Sequence, residues 1–184
     1  MLLTKTKATY DDLMQAEGKA ELIDGEIVRF MSTGGDAGFA GDEIFSWLRE
    51  YSRRTRWGRA IGDNKGFKVN LPRRQSFSPD AAFYVGPNPG KKFYEGAPLF
   101  AVEVRSKNDY GATAEEIKMA TKRDEYFLAG TKVVWDIDVL GEIVVRKYTA
   151  EAPDTPTEFR RGEVADAEPA LPDWTIPVDA LFDE

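Results

Sequence analysis

The apolar and polar residues in the first third of the chain follow two different periods. They alternate on both sides of Asp24-Gly25, a dipeptide that favours a two-residue turn, and so predict a β-hairpin. Before the hairpin, TYDDLMQA predicts a short helix capped by Thr9 or Asp11. After it, the glycines of STGGDAGFAG predict a flexible loop, and the helical spacing of EIFSWLREYSRRTRW predicts a long core helix.

Extended segments dominate the middle of the chain. The runs GFKVNL and DAAFYV predict short strands between proline-containing breaks. The run LFAVEV is apolar except for Glu103, a pattern that is typical of a central strand buried on both faces.

The last third begins with ATAEEIKMATKRDEYFLAG, which predicts a helix that stops at Gly130. The runs KVVWDID and EIVVRKY, on either side of Leu140-Gly141, predict a second hairpin. The proline-rich, acidic tail from Pro153 predicts an ordered coil with a final helical turn, and its late apolar residues predict that this end packs back on the domain. These elements predict an α/β fold, and the length is that of a single domain spanning 1–184.

Composition narrows the chemistry that the chain can perform. It contains no cysteine and no histidine, which excludes disulfides, thiol nucleophiles, Ser-His pairs and metal sites built on either residue. Carboxylates must therefore carry most of the chemistry. No apolar run approaches the roughly 20 residues that span a bilayer, and the polar start does not resemble a signal peptide, so we expect a cytoplasmic protein with no membrane partner.

The net charge of −7 opposes binding to a polyanion. The basic residues are clustered, however, and a local basic strip could offset this charge. Its members would be Arg53, Arg54, Arg56, Arg59, Arg73, Arg74, Lys91 and Lys92. For the arginines near Trp57, a solvated helix end is an equally good interpretation.

Two carboxylates suggest a metal site. A charge inside an apolar strand costs several kcal/mol unless it is paired, so Glu103 needs a partner. Asp80 begins another strand-like run, and two neighbouring strands could bring both carboxylates to one edge of a sheet. Such a pair repels unless a cation lies between its members, and Mg²⁺ held by one or two carboxylates and a substrate phosphate is a common arrangement. Taken alone, Asp80 is more often a turn or cap residue.

Five segments resemble the Uma-type family of restriction-endonuclease-like bacterial proteins, within the PD-(D/E)xK nuclease superfamily. They occur in the family's order and spacing: ELIDGEIV at 21–28, SPDAAFYV at 78–85, FAVEVRSKND at 100–109, KRDEYFLAGTKVVWDID at 122–138 and LPDW at 171–174. The resemblance implies a mixed β-sheet flanked by helices, with Asp80 and Glu103 as its paired acidic residues. It also implies that Glu21 is an additional acidic site residue, although an ordinary strand-edge glutamate is the alternative.

The lysine of the superfamily pattern is displaced in this chain. Two residues beyond Glu103 stands Arg105, which stays protonated and can stabilise phosphate charge but is poorly suited to act as a base. The resemblance implies a lysine on the following helix, here Lys122, with Lys118 and Lys107 as alternatives. Lys122 could also be a solvated helix lysine. The family often carries a histidine after the first hairpin, and this chain has none.

These features together predict an endonuclease that uses Mg²⁺ or Mn²⁺ to hydrolyse DNA. Asp80 and Glu103 are the predicted metal ligands, while Lys122 and Arg105 would neutralise charge developing on the phosphate. Glu21 would position the metal shell or a second ion. By analogy with nucleases that cut both strands, we expect a homodimer. A catalytically silent DNA-binding module and a protein-interaction module are the alternatives, and the acidic composition suits the second.

Overall fold

The computed structural model describes residues 7–31, 34–106 and 113–182. The elements, in chain order, are α1 (Tyr10–Met14), β1 (Ala20–Ile23), β2 (Glu26–Arg29), α2 (Gly35–Thr55), β3 (Arg59–Ile61), β4 (Phe67–Lys68), β5 (Ser76–Phe77), β6 (Ala81–Tyr84), β7 (Tyr94–Glu95), β8 (Phe100–Val104), α3 (Thr113–Leu128), β9 (Val133–Ile137), β10 (Val145–Thr149), β11 (Ala152–Phe159), β12 (Val164–Asp166), β13 (Thr175–Pro177) and a 3₁₀ turn (Val178–Leu181). Across these ranges, no helix is both long enough and apolar enough to cross a membrane.

A six-stranded mixed sheet forms the centre of the molecule, in the order β11-β10-β9-β8-β6-β3. The central pair β8–β9 is parallel, and the other neighbours in this sheet are antiparallel. Phe100, Val102 and Val104 of β8 point into a core shared with α2. Ala101 belongs to the core on the opposite face, where α3 contributes Tyr126. Because side chains alternate along a strand, Glu103 lies on this second face.

Helix α2 begins much earlier than the sequence pattern predicts. Residues 35–41 of the glycine-rich segment, which predict a flexible loop, instead form its first turns, so the prediction is wrong for these residues. Ala37, Ala40, Gly41 and Ile44 recur at helical spacing on the buried face, and a Cβ added to Gly41 would lie 3.8 Å from the Cβ of Asp80. Small residues let this end of α2 approach the sheet closely, and packing of this kind overrides the low helix propensity of glycine.

The predicted first hairpin is confirmed. Strands β1 and β2 are antiparallel, and both turn residues have positive φ, 51° for Asp24 and 78° for Gly25, as a type I′ turn requires. The hairpin is attached to the start of β5. The Leu22 amide donates to Ser76 Oγ at 2.8 Å, and the Gln75 amide donates to the Leu22 carbonyl at 2.9 Å. These contacts fix the position of β1 beside the central sheet.

The tail is more regular than a coil, and the prediction fails there. The first part of the tail forms β11, which pairs with β10 at the edge of the main sheet, and β12 pairs with β13. Pro153 and Pro156 suggested irregular chain, but an edge strand tolerates proline because one side has no partner strand. The final helical turn is confirmed as the 3₁₀ turn. Trp174 and Ile176 are buried, so the end of the tail packs on the domain as predicted.

Candidate active site

Asp80 and Glu103 lie at the same end of two neighbouring strands. Ala81 of β6 pairs with Val102 of β8, which places Asp80 beside the end of β8 that carries Glu103. The Asp80 amide donates to the Val102 carbonyl at 3.0 Å, and Asp80 Oδ2 accepts from the Val104 amide at 2.6 Å. Asp80 is therefore anchored to the backbone on both sides of Glu103, through its own amide at Val102 and through its carboxylate at Val104, and the structure brings the two predicted metal ligands together.

Glu21 projects from β1 into the interior and has no exposed surface. Its Oε1 accepts from the Ser78 amide at 2.8 Å, and its Oε2 accepts from Nη1 of Arg74. Burial alone would raise the pKa of Glu21, but the cations Lys122 and Arg74 and the Ser78 amide outweigh it and lower the pKa. Glu21 is thus a buried, charged residue, which excludes an ordinary position at an exposed strand edge.

Lys122 connects the two carboxylates from β1 and β8. Its Nζ lies 2.8 Å from Glu103 Oε1 and 3.0 Å from Glu21 Oε1. Burial would lower the pKa of Lys122, but the charges of Glu103 and Glu21 outweigh it and raise the pKa. Lys122 is therefore a fixed ammonium group and not a solvated helix lysine. Of the alternatives, Lys118 is 70% exposed and pairs with Glu115, while Lys107 lies outside the described residues.

Glu103 is held in place from α3. The Tyr126 hydroxyl donates to Glu103 Oε1 at 2.6 Å, and the Tyr126 ring stacks on Phe77 with centroids 3.9 Å apart. Burial, together with the negative charges of Asp80 and Glu21, raises the pKa of Glu103 against the opposing effect of Lys122. Glu103 is thus a partly buried carboxyl group that lies close to two other carboxylates and to two cations, Lys122 and Lys19.

Two cationic residues of the site are not among the site residues that the sequence predicts. Lys19 Nζ lies 2.5 Å from Asp80 Oδ1 and 2.7 Å from Asp63 Oδ1. Arg74 binds Glu21 and also donates from Nε to Glu125 Oε2 at 2.6 Å. Lys19 could have been found by extending strand alternation one residue before β1, because it stands two residues before Glu21.

Arg105 does not join this group of residues. Its Nε and Nη2 each donate at 2.8 Å to the Asp136 carboxylate on β9, and its Nη1 donates to Glu116 Oε1 on α3 at 2.5 Å. These carboxylates raise the pKa of Arg105. The guanidinium is fully engaged in tying α3 to the sheet, so the contact with phosphate that the sequence predicts would require these bonds to break.

The predicted basic strip is not continuous. Arg59 pairs with Tyr84, at the end of β6 that is remote from Asp80, and Arg53 and Arg54 lie in the last turn of α2. Arg74 is buried in the site. The solvated helix end is the interpretation that fits Arg53 and Arg54, and their charge suits the carboxyl end of the helix dipole.

The family of this chain follows from a comparison of its sequence with family models. The Uma2 model, described as "Putative restriction endonuclease", matches residues 8–179. The chain belongs to the Uma2 family. A crystal structure from Anabaena variabilis, described as "a putative nuclease belonging to DUF820", shares the fold with a TM-score of 0.73 and 16% sequence identity over 95% of this chain and 97% of that chain. The comparison with curated proteins found no match.

These findings confirm both the Uma-type resemblance and the mixed α/β nuclease-like fold that it implied. All five segments that carry the resemblance begin within the matched residues. Three of them supply Glu21, Asp80 and Glu103, which come from separate parts of the Uma2 chain and meet at one end of the sheet.

The residues of this Uma2 site suit a hard divalent cation. We define the site cluster as the carboxylates Glu21, Asp63, Asp80, Glu103 and Glu125 with the cations Lys19, Arg74 and Lys122. Among the described residues, these five carboxylates and three cations leave an excess of two negative charges when all are ionised, which is the charge of one divalent ion. In the part of the chain that is described, no three carboxylates already converge as a metal-binding group. Mg²⁺ needs only one or two of them, with water and phosphate completing its shell.

Proposed function

We propose that this Uma2 protein is a metal-dependent endonuclease that hydrolyses phosphodiester bonds in DNA. Asp80 and Glu103 are the proposed ligands of Mg²⁺ or Mn²⁺. The observation that carries the proposal is that one lysine, Lys122, contacts Glu103 directly beside the backbone-anchored Asp80. An acidic pair that can hold a metal ion, with an adjacent fixed ammonium group, suits phosphodiester hydrolysis, since charge develops on the phosphate and on the leaving oxygen.

Each residue has a role in this proposal. A divalent ion, when bound, would polarise the phosphoryl oxygen and lower the pKa of water. Lys122 stays protonated and supplies positive charge for the phosphate oxygens in the transition state. Glu21 orients Lys122 through its 3.0 Å ion pair, and Tyr126 fixes the rotamer of Glu103 through its hydrogen bond. Arg105 acts indirectly, because it ties α3, the helix that carries Lys122, to β9.

The experiment is a cleavage assay on plasmid and oligonucleotide DNA with Mg²⁺ or Mn²⁺. We expect Asp80→Ala and Glu103→Ala each to reduce the cleavage rate by at least about 100-fold. Lys118→Met serves as the matched control, because it removes an exposed charge from the same helix as Lys122 and should cut at the wild-type rate. Cleavage that survives both alanine substitutions would assign the activity to another site or to a contaminant.

Partners and location extend the proposal. DNA is the proposed substrate, and a homodimer is proposed because cutting both strands requires two sites. We also propose a cytoplasmic location. The net charge of −7 favours the alternative of a protein-interaction module, and a DNA-binding measurement at low ionic strength separates the two, because that alternative predicts no binding even where electrostatic attraction is strongest.

A further inference from the structure

Within the site cluster, Lys19 is the cation that forms an ion pair with Asp80. It precedes β1, and its Nζ lies between Asp80 Oδ1 at 2.5 Å and Asp63 Oδ1 at 2.7 Å. The side chains of Lys19 and Asp80 are each 14% exposed, whereas that of Asp63 is 45% exposed. Lys19 therefore joins a nearly buried carboxylate to one that faces solvent.

The two oxygens of Asp80 have different partners. Oδ2 accepts from the Val104 amide at 2.6 Å, and Oδ1 accepts from Lys19. The ordinary distance from Mg²⁺ to an oxygen ligand is about 2.0–2.1 Å. An ammonium group and a divalent ion that share Oδ1 at such distances would repel each other strongly, since little solvent is present to screen them.

We propose that Lys19 competes with the divalent ion for Asp80. In the metal-free protein its ammonium group neutralises Asp80, and when the ion binds, this group moves away and keeps its contact with Asp63. The inference rests on the proposed metal site at Asp80 and Glu103. Asp63 is essential to it, because this carboxylate lets Lys19 leave Asp80 without becoming an unpaired, partly buried charge.

Two measurements test the proposal. The affinity for Mn²⁺ is measured by calorimetry and by the electron paramagnetic resonance signal of free Mn²⁺, and the stability of the metal-free protein is measured by thermal unfolding in EDTA. We expect Lys19→Met to bind Mn²⁺ on the order of tenfold more tightly than wild type, because the ion no longer displaces an ammonium group. In EDTA the same variant should unfold at a lower temperature, because Asp80 loses its counter-charge. Lys118→Met, which removes the same charge at an exposed position, should match wild type in both measurements.

Asp63→Asn supplies a second route, and the single variant does not depend on the stability of Lys19→Met; Asp63 is 45% exposed, so the substitution should be tolerated. It should weaken Mn²⁺ binding severalfold while Lys19 is present. In the double variant with Lys19→Met, this weakening should vanish, whereas a direct attraction between Asp63 and the ion would persist.

The outcomes separate this inference from the proposed function. If wild type binds Mn²⁺ and cleaves DNA but Lys19→Met binds no more tightly, the competition is overturned and the nuclease proposal stands. If neither protein binds Mn²⁺ and neither cleaves DNA, both proposals fail. If only Lys19→Met binds Mn²⁺, the competition is supported in its strongest form.

Discussion

Two clusters of charged residues lie on the same face of the central sheet, and they differ in charge balance. One is the site cluster. The other, the Arg105 cluster, consists of Arg105, Arg123, Glu116 and Asp136. Glu103 and Asp136 are directly paired across β8 and β9, so these two carboxylates stand side by side and yet belong to different clusters.

The Arg105 cluster has equal numbers of positive and negative groups. Asp136 receives two parallel bonds of 2.8 Å from one guanidinium, the strongest geometry available to such a pair. The site cluster has two carboxylates more than it has cations, and burial, together with the charges of Asp80 and Glu21, raises the pKa of Glu103. Burial of carboxylates therefore does not by itself indicate a metal site. An excess of carboxylates over cations is the feature that distinguishes the proposed metal site from the Arg105 cluster.

The largest expected effect is on stability. Asp136→Asn leaves the guanidinium of Arg105 and the nearby Arg123 short of one buried counter-charge, so we expect the free energy of unfolding to fall by about 3–5 kcal/mol. Urea denaturation of the metal-free protein measures this change. Asp124→Asn, at an exposed aspartate on α3, is the matched control and should stay within about 0.5 kcal/mol of wild type. An Asp136→Asn variant as stable as this control would contradict the structural role of the Arg105 cluster.

The next effect is on catalysis and belongs to the site cluster. Lys122→Met removes the ammonium group beside Glu103, and we expect the DNA cleavage rate to fall by about 10²–10³. Glu21 keeps its contact with Arg74 in this variant, which limits the structural damage. Single-turnover cleavage with folded protein measures the effect. If Lys122→Met cleaved DNA at the wild-type rate, another cation of the site would have to stabilise the charge on the phosphate.

A smaller effect is expected when Glu103 loses its hydrogen-bond donor. Tyr126→Phe keeps the ring that stacks on Phe77 but removes the hydroxyl at 2.6 Å from Glu103. A hydrogen bond to a charged group contributes about 1.5–3 kcal/mol, so cleavage should slow by about 10-fold or more. The rate at saturating Mn²⁺ is the decisive measurement, because a loss that excess metal restores would show that the hydroxyl supports metal binding only.

The smallest expected effect is a pH-dependent difference in stability. Because the pKa of Glu103 is raised above its ordinary value of 4.5, the folded state holds this proton where the unfolded state has released it. The contribution of Glu103 to the free energy of unfolding is thus fully present below pH 4.5 and is lost as the pH rises through the raised pKa of the folded state. Glu103→Gln removes the decline, so its stability relative to wild type in EDTA should increase with pH. A difference in stability that does not change with pH would mean that folding does not raise the pKa of Glu103.

Some features of the fold and of the site could be predicted from the sequence, and others could not. Glu103 could be identified because a single carboxylate interrupts an apolar strand, and the first hairpin could be identified from Asp24-Gly25. The early start of α2 could not be predicted, since glycine disfavours helices and the packing of the buried face of α2 on the core, a tertiary property, compensates.

The charge balance of the two clusters could not be predicted either. Whether Arg105 or Lys122 faces Glu103 depends on how α3 lies on the sheet, which is a tertiary property. For the same reason Arg74 looked like one of several surface arginines, although it is buried against Glu21.

The central claim is that the excess negative charge of the site cluster binds a divalent cation at Asp80 and Glu103. The most direct measurement is anomalous diffraction from crystals soaked in Mn²⁺. We predict an anomalous peak in contact with the carboxylates of Asp80 and Glu103, and none at Asp136. A peak at Asp136, or no peak at Asp80 and Glu103 at saturating Mn²⁺, would contradict the claim.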